Sequence, residues 1–147
     1  MRLKRIIISI LLAACVCICF CLPVYAETDA ALSVVTVSPL YDIAKQTTSD
    51  LTIVGTKAEC RSYALGNNVV MITVEQTLQK YSGWFWIWNN VDGASWSKTV
   101  NNSSLHLLNT KSGLTSGKYR LKSVFTLTDK NDKTETITIY SNEATVG

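Results

Sequence analysis

Cysteine and histidine are scarce in this 147-residue chain, and their scarcity excludes several kinds of site. Four of the five cysteines lie in the apolar run that opens the chain, so Cys60 is the only one beyond it. A disulfide framework in the rest of the chain is therefore excluded, and Cys60 is interpreted as a packed small hydrophobe. His106 is the only histidine, so zinc sites and Ser/His or Cys/His nucleophilic pairs lack their parts. We expect no metal and no cofactor.

An excess of positive charge is also missing once the first residues are set apart. The 14 basic residues include Arg2, Lys4 and Arg5, which leaves 11 basic residues against 11 acidic ones. A chain without net charge gives no case for a nucleic-acid partner. Paired carboxylates for glycoside hydrolysis are the one catalytic arrangement left open, and we expect a protein that is not an enzyme.

The first residues have the pattern of an export signal. Residues 1–5 (MRLKR) are basic, residues 6–22 are apolar, and residues 24–26 (VYA) form the small-x-small site of a signal peptidase. We expect residues 1–26 to be a signal peptide, with no stable membrane insertion after cleavage and an extracellular location. Two alternatives are an uncleaved N-terminal anchor and a surface lipoprotein attached through Cys15 of the lipobox-like sequence LAAC.

Helical periodicity is missing from the mature chain, and its dominant period is two. Alternating apolar residues separated by Gly, Asn and Asp turns predict an all-β chain of about seven strands, which must form two packed sheets. The predicted strands cover residues 32–37, 51–65 with a bend at Gly55, 69–80, 84–91, 117–128 and 134–140. Residues 27–50 are read as an N-terminal strand and a polar connection, and residues 51–147 as the remainder of a single β-sandwich domain.

Two of these strands predict which side chains face the core. Residues 69–80 place Val70, Ile72, Val74 and Leu78 on one face. The late strand, residues 117–128, projects a basic row on its outer face. That row is Lys118, Arg120 and Lys122, beside Thr136, Thr138 and Tyr140 on one neighbour and Glu75, Thr77 and Gln79 on the other.

The sequence Leu114-x-x-Gly117-x-Tyr119 resembles the tyrosine corner of immunoglobulin-like and fibronectin-like domains. Further short motifs, GTKAEC at 55–60, TLQK at 77–80, GKYRL at 117–121 and ET at 135–136, resemble small secreted proteins of Gram-positive bacteria that have no assigned biochemical function. The resemblance covers residues 51–141. It implies a single immunoglobulin-like antiparallel β-sandwich and supplies no catalytic residues.

The aromatic stretch YSGWFWIW at residues 81–88 is the most unusual segment. Strict alternation in a strand would place Trp84, Trp86 and Trp88 on one face. If Gly83 is left-handed in a three-residue loop, that face is the core face, beside Leu78. If the loop has only two residues, the tryptophans point outward.

The next turn signal does not decide between these registers. Asp92-Gly93 is a strong two-residue hairpin signal and would group Phe85 and Ile87 with Trp96 in a core, which leaves the other tryptophans outside. A three-residue loop there would reverse the assignment. Both readings, buried tryptophans and an exposed platform, stay open.

The exposed reading defines a candidate binding surface. It joins the tryptophans at 84, 86 and 88 to the basic row at 118, 120 and 122. Tryptophan rings stack on sugars or rest at a membrane interface, and cations attract acidic groups. The sequence thus favours a secreted, non-enzymatic binding or adhesion domain for an extracellular glycan or anionic cell-surface polymer. The alternative is a structural immunoglobulin-like surface domain with buried tryptophans, a protein partner and no small ligand.

Overall fold

A computed structural model describes residues 41–147, so the expected signal peptide, the lipobox-like sequence and the strand at 32–37 lie outside the described residues. The described part of the chain forms eight β-strands and no helix. These are β1 (Ala44–Val54), β2 (Lys57–Gly66), β3 (Val69–Ser82), β4 (Ile87–Val100), β5 (Ser104–Lys111), β6 (Gly117–Asp129), β7 (Thr134–Tyr140) and β8 (Ala144–Val146).

The strands form two antiparallel sheets that pack together as a β-sandwich. The smaller sheet has the order β1-β2-β5, and the larger has the order β4-β3-β6-β7. The short strand β8 pairs with the beginning of β6, because β7 pairs only with the later part of that strand. The prediction of an all-β antiparallel sandwich is confirmed, with eight strands in the described residues against about seven expected.

The core between the sheets consists of two apolar clusters with a polar layer between them. Phe125 belongs to one cluster and Leu121 to the other, and Ser123 is the inward-facing residue between them. On β3, Gln76 separates Val74 from Leu78 in the same way. Because inward positions recur every second residue, one polar residue per strand is enough to divide the core.

The polar layer is joined across the sheets by hydrogen bonds. The Gln76 Nε2 donates to the Ser62 Oγ at 2.7 Å and to the Cys60 carbonyl oxygen at 3.3 Å, and the Asn109 Nδ2 donates to the Gln76 Oε1 at 2.8 Å. The Ser123 hydroxyl lies 2.8 Å from the Ser62 hydroxyl. Buried polar groups with such partners fix the position of one sheet on the other.

The first described strand differs from the prediction. Most of the predicted polar connection, residues 41–50, lies in β1, where Ala44, Thr47 and Ser49 are buried. The strand predicted to bend at Gly55 is instead two strands, because Gly55 has a φ of 59° and closes the β1–β2 hairpin. The Thr- and Ser-rich composition of this segment favours a loop. In the structure it is a strand, and from Thr47 onward every second side chain faces the core.

Val70 is the one residue of the predicted inner row on β3 that does not face the core. The pairing of β3 with β6 shifts register between Val69 and Met71, and Val70 is exposed while Val69 is buried. This β-bulge inserts an extra residue and reverses the alternation before it.

The predicted hairpin at Asp92-Gly93 is also wrong. β4 runs through these residues, and residues 91–94 form a wide bulge opposite Leu78 of β3. Gly93 takes a left-handed φ of 62°, which is what a bulge as well as a hairpin turn requires. The region from 96 to 116, for which the sequence predicts no strand, contains the end of β4 and all of β5.

The segments before β1 and before β6 are fixed by side chains that bind the backbone. The Glu135 carboxylate accepts hydrogen bonds from the backbone N–H groups of Asp42, Ile43 and Ala44, at 2.7 to 3.1 Å. At the start of β6, the Tyr119 hydroxyl donates to the carbonyl oxygen of Thr115 at 2.6 Å. That backward bond is the one that defines a tyrosine corner.

Candidate functional site

The turn between β3 and β4 has four residues, neither two nor three. The last pair of the ladder is Ser82 with Ile87, so residues 83–86 form the turn. The Phe85 N–H donates to the Ser82 carbonyl oxygen at 3.2 Å. The left-handed residue is Trp86, with a φ of 58°, and not Gly83, which the three-residue alternative would require. We call residues 83–86 the aromatic tip.

This geometry corrects the prediction that three tryptophans share a sheet face. Trp84 and Trp86 are 87% and 82% exposed in the tip, outside the strand alternation, whereas Trp88 lies in β4 opposite Tyr81. The prediction that the tryptophans are buried is therefore wrong for the two in the tip. They are exposed, but on a turn and not on the flat face of a sheet. Alternating aromatic residues read as a strand because they favour β-structure, and only the turn geometry reveals otherwise.

Trp88 does lie on the outer face, in contact with the predicted basic row. The Arg120 guanidinium carbon lies 4.2 Å from the centre of the Trp88 ring and 4.0 Å from the centre of the Tyr140 ring. One cation is thus placed between two aromatic rings from strands on either side of β6. Planar guanidinium groups stack on aromatic faces in this way, which a lysine cannot reproduce.

Polar neighbours fix this arginine from the side. The Arg120 Nε donates to the Gln79 Oε1 at 2.9 Å, and the Gln79 Nε2 donates to the Asn90 Oδ1 at 3.0 Å. A guanidinium has five N–H donors, and this bond uses only the one at Nε. The rings and Gln79 hold the group in place while donors are left for a ligand.

The other two basic residues extend the row along β6. Lys118 forms an ion pair with Glu143, at 2.9 Å, and Lys122 pairs across the sheet with Tyr140 and with Thr77. A shallow cavity of about 210 Å³ lies at the Lys118 end. It is lined by Tyr81, Trp88, Lys118 and Glu143.

The predicted outward residues of the neighbouring strands are placed as expected. The ladders put Thr77 and Gln79 beside the basic row on one side, and Tyr140 on the other. Tyr81 and Asn90 were not predicted to contribute, and only the observed β3–β4 register brings them there. We call Trp88, Tyr140, Lys118, Arg120 and Lys122 the aromatic–basic strip.

The structure separates the six predicted site residues into two groups. The strip contains Trp88, Lys118, Arg120 and Lys122. The other two, Trp84 and Trp86, belong to the tip. Trp96 turns inward and is partly buried against the second apolar cluster.

Other candidate reactive groups have structural surroundings. Cys60 is fully buried, and burial raises the pKa of its thiol to about 12, so it packs as a small hydrophobe. The His106 ring lies 4.4 Å from the ring of Tyr63 on the outer face of the smaller sheet. Within residues 41–147, no group of three or more His, Cys, Asp or Glu residues is arranged to hold a metal ion. The same residues contain no helix long and apolar enough to cross a membrane.

Comparison with known proteins finds distant structural similarity. No protein-family model matches the chain, and no curated protein matches it significantly. Among solved structures the chain is similar to Spo0M, a sporulation control protein from Bacillus subtilis, with 14% identity and a TM-score of 0.29. The match covers 69% of this chain and 50% of Spo0M, about half of that protein's length. A TM-score this low carries no argument about fold or function.

Proposed function

We propose that this protein is a secreted, non-enzymatic binding domain that recognises an acidic glycan or another anionic polymer through its aromatic–basic strip. The observation that carries the proposal is the position of Arg120 between Trp88 and Tyr140. Through this contact the aromatic and cationic residues form one continuous surface.

The chemistry of the strip suits a sugar that carries negative charge. Tryptophan and tyrosine rings pack against the apolar C–H face of a pyranose, while Arg and Lys bind carboxylate or phosphate groups. Lys118, Arg120 and Lys122 recur every second residue along β6, so they present charge as a row and not as a pocket. A row fits an extended polymer better than a compact small molecule.

We also infer that the sandwich is immunoglobulin-like. If β1, β2 and β5 are strands A, B and E, then β4, β3, β6 and β7 correspond to C′, C, F and G. Tyr119 then lies at the start of strand F, where a tyrosine corner belongs, and its hydroxyl bonds back to Thr115. Domains with this architecture commonly present sheet faces and loops to extracellular partners.

The alternative function, a structural domain whose partner adds to a sheet edge, has less support. β4 is a 14-residue strand at the edge of the larger sheet, which is long enough to pair with another chain. The bulge at residues 91–94 interrupts its ladder, and such bulges protect edges from pairing. We therefore favour the sheet face over the edge.

A ligand panel on matched aromatic variants tests the proposed function. Wild type is expected to bind polygalacturonate and poly(glycerol phosphate) but not neutral dextran, and added salt should weaken the binding. Trp88→Ala should weaken it about tenfold, because both ring stacking and support of Arg120 are lost. Tyr63→Ala, on the outer face of the other sheet, should bind like wild type. Equal binding by all three chains would contradict the proposal.

A further inference from the structure

The aromatic tip is a second surface that the aromatic–basic strip does not use. Trp84, Phe85 and Trp86 are exposed, and Ile87 beside them is about half exposed. Exposure of apolar side chains to water is unfavourable, and large contiguous apolar patches on a protein mark a contact site.

The backbone of the tip is strained at one residue. Trp86 has a φ of 58°, a left-handed conformation that is unfavourable for a bulky residue. Glycine or asparagine would adopt it at lower cost. A strained tryptophan whose side chain is 82% exposed does nothing for the core, so its identity points to a partner outside the molecule.

The composition of the tip selects the class of partner. From Tyr81 to Val91 the chain carries no charged residue, and between residues 83 and 87 the only side-chain polar groups are the two indole N–H groups. A sugar-binding or peptide-binding site needs several convergent polar groups, which the tip lacks. A projecting turn that carries tryptophan, phenylalanine and isoleucine is suited to partition into the interface of a lipid bilayer.

The charges around the base of the tip match an anionic lipid surface. Lys80 and Lys118 lie at the ends of the strands that carry the tip or adjoin it, with Arg120 one step further along β6. Glu143 is paired with Lys118, and Asp92 lines a cavity together with Lys80. Cations that surround an apolar tip add electrostatic attraction to phosphate headgroups.

From these observations we propose that the aromatic tip inserts reversibly into the interface of an anionic lipid membrane. The contact is peripheral and does not span the bilayer. The inserting residues 83–86 are not part of the proposed polymer site, although the cations Lys118 and Arg120 adjoin both surfaces, so variants of the tip itself leave the aromatic–basic strip unchanged.

Quenching by lipid measures this insertion at the tip itself. In the full chain carrying Trp88→Phe and Trp96→Phe, all tryptophan fluorescence comes from Trp84 and Trp86. Vesicles of equal parts phosphatidylcholine and phosphatidylglycerol should shift its emission to the blue, and brominated phosphatidylcholine should quench it. Unshifted and unquenched emission overturns the proposal, even if the apolar N-terminal run holds the chain on the vesicle.

A matched pair of variants measures the contribution of the tip to binding. Trp84→Ser with Trp86→Ser should reduce co-sedimentation with these vesicles at least about tenfold, because two large apolar side chains no longer leave water. Leu108→Ser, which removes a 60% exposed residue of the smaller sheet, should not reduce it. Both variants contain the apolar N-terminal run, residues 6–22, so a difference between them in vesicle binding is due to the tip. If the double variant instead keeps vesicle binding and loses polygalacturonate binding, the tip contacts the polymer and the proposal is wrong.

Discussion

Single residues explain the main difference between the expected and observed tryptophan positions. Tryptophans alternate with other residues from 84 to 88 in the sequence. Residues 83–86 form a turn, however, in which Trp86 takes a left-handed conformation, so the alternation does not place these side chains on one sheet face. No propensity rule places a tryptophan there, since glycine and asparagine are the residues that adopt this conformation readily. Sequence patterns therefore do not predict this register.

Replacing this residue should separate folding from binding. Trp86→Asn is expected to leave the free energy of unfolding unchanged or to raise it by up to about 1 kcal/mol, because strain is relieved and little buried surface is lost. Thermal or denaturant unfolding checks this. A clear loss of stability would mean that the indole makes contacts that its exposure does not reveal.

The buried thiol should give the stability curve a measurable slope at alkaline pH. The pKa of Cys60 is raised from 9.0 to about 12 in the folded chain, so the folded state holds its proton while the unfolded state loses it. This contribution is fully present below pH 9 and is lost as pH rises toward 12. Wild type should lose up to about 1.4 kcal/mol per pH unit more than Cys60→Ala across this range. Parallel curves for the two chains, from urea titrations at each pH, would contradict the assignment.

At the scale of elements, the polar layer between the sheets is the feature that strand patterning misses. Alternation identifies which residues face inward, and it placed Ile72, Val74 and Leu78 correctly. It does not predict that Gln76 and Ser123 are buried, because a polar residue at an inward position looks like a break in the apolar pattern. Their partners lie on other strands, 14 to 74 residues away, so only the fold brings them together.

Removing the central amide should destabilise the sandwich. Gln76→Met keeps a similar shape but removes the hydrogen bonds that the Gln76 amide makes with the Asn109 amide and the Cys60 carbonyl. We expect the free energy of unfolding to fall by about 2–4 kcal/mol in total. Denaturant titration measures the loss. Glu75→Ala, the exposed neighbour on the same strand, is the control and should change stability by less than about 0.5 kcal/mol.

The tyrosine at the start of β6 makes a similar but smaller contribution. Tyr119→Phe removes the hydrogen bond to Thr115 and leaves the buried ring, so we expect a loss of about 1–2 kcal/mol in unfolding free energy. Faster hydrogen exchange of amides in residues 115–119 should accompany it. Unchanged stability would show that the bond does not hold this corner.

The whole molecule combines what the sequence predicts well with what it predicts poorly. An antiparallel sandwich follows from period-two patterning, and the basic row on β6 follows from the same rule, because each depends only on local alternation. The hairpins at Gly55 and residues 83–86, and the bulge at 91–94, depend on backbone conformations that glycine and asparagine signals leave ambiguous. Contact between Trp88, Arg120 and Tyr140 depends on the registers of four strands, β4, β3, β6 and β7, so local sequence patterns could not predict it.

This arrangement gives the domain two separate surfaces at one end of the larger sheet. The aromatic–basic strip lies on the sheet face, and the aromatic tip projects from the β3–β4 turn. The central claim concerns the strip, where the position of Arg120 makes a charged sugar polymer the expected ligand.

Calorimetric titration of polygalacturonate into two matched arginine variants tests that claim most directly. Arg120→Gln removes the cation between the rings, whereas Arg61→Gln removes an arginine from the outer face of the other sheet. We predict that the dissociation constant rises about tenfold for Arg120→Gln and stays at the wild-type value for Arg61→Gln. The account is contradicted if the two variants bind polygalacturonate equally well.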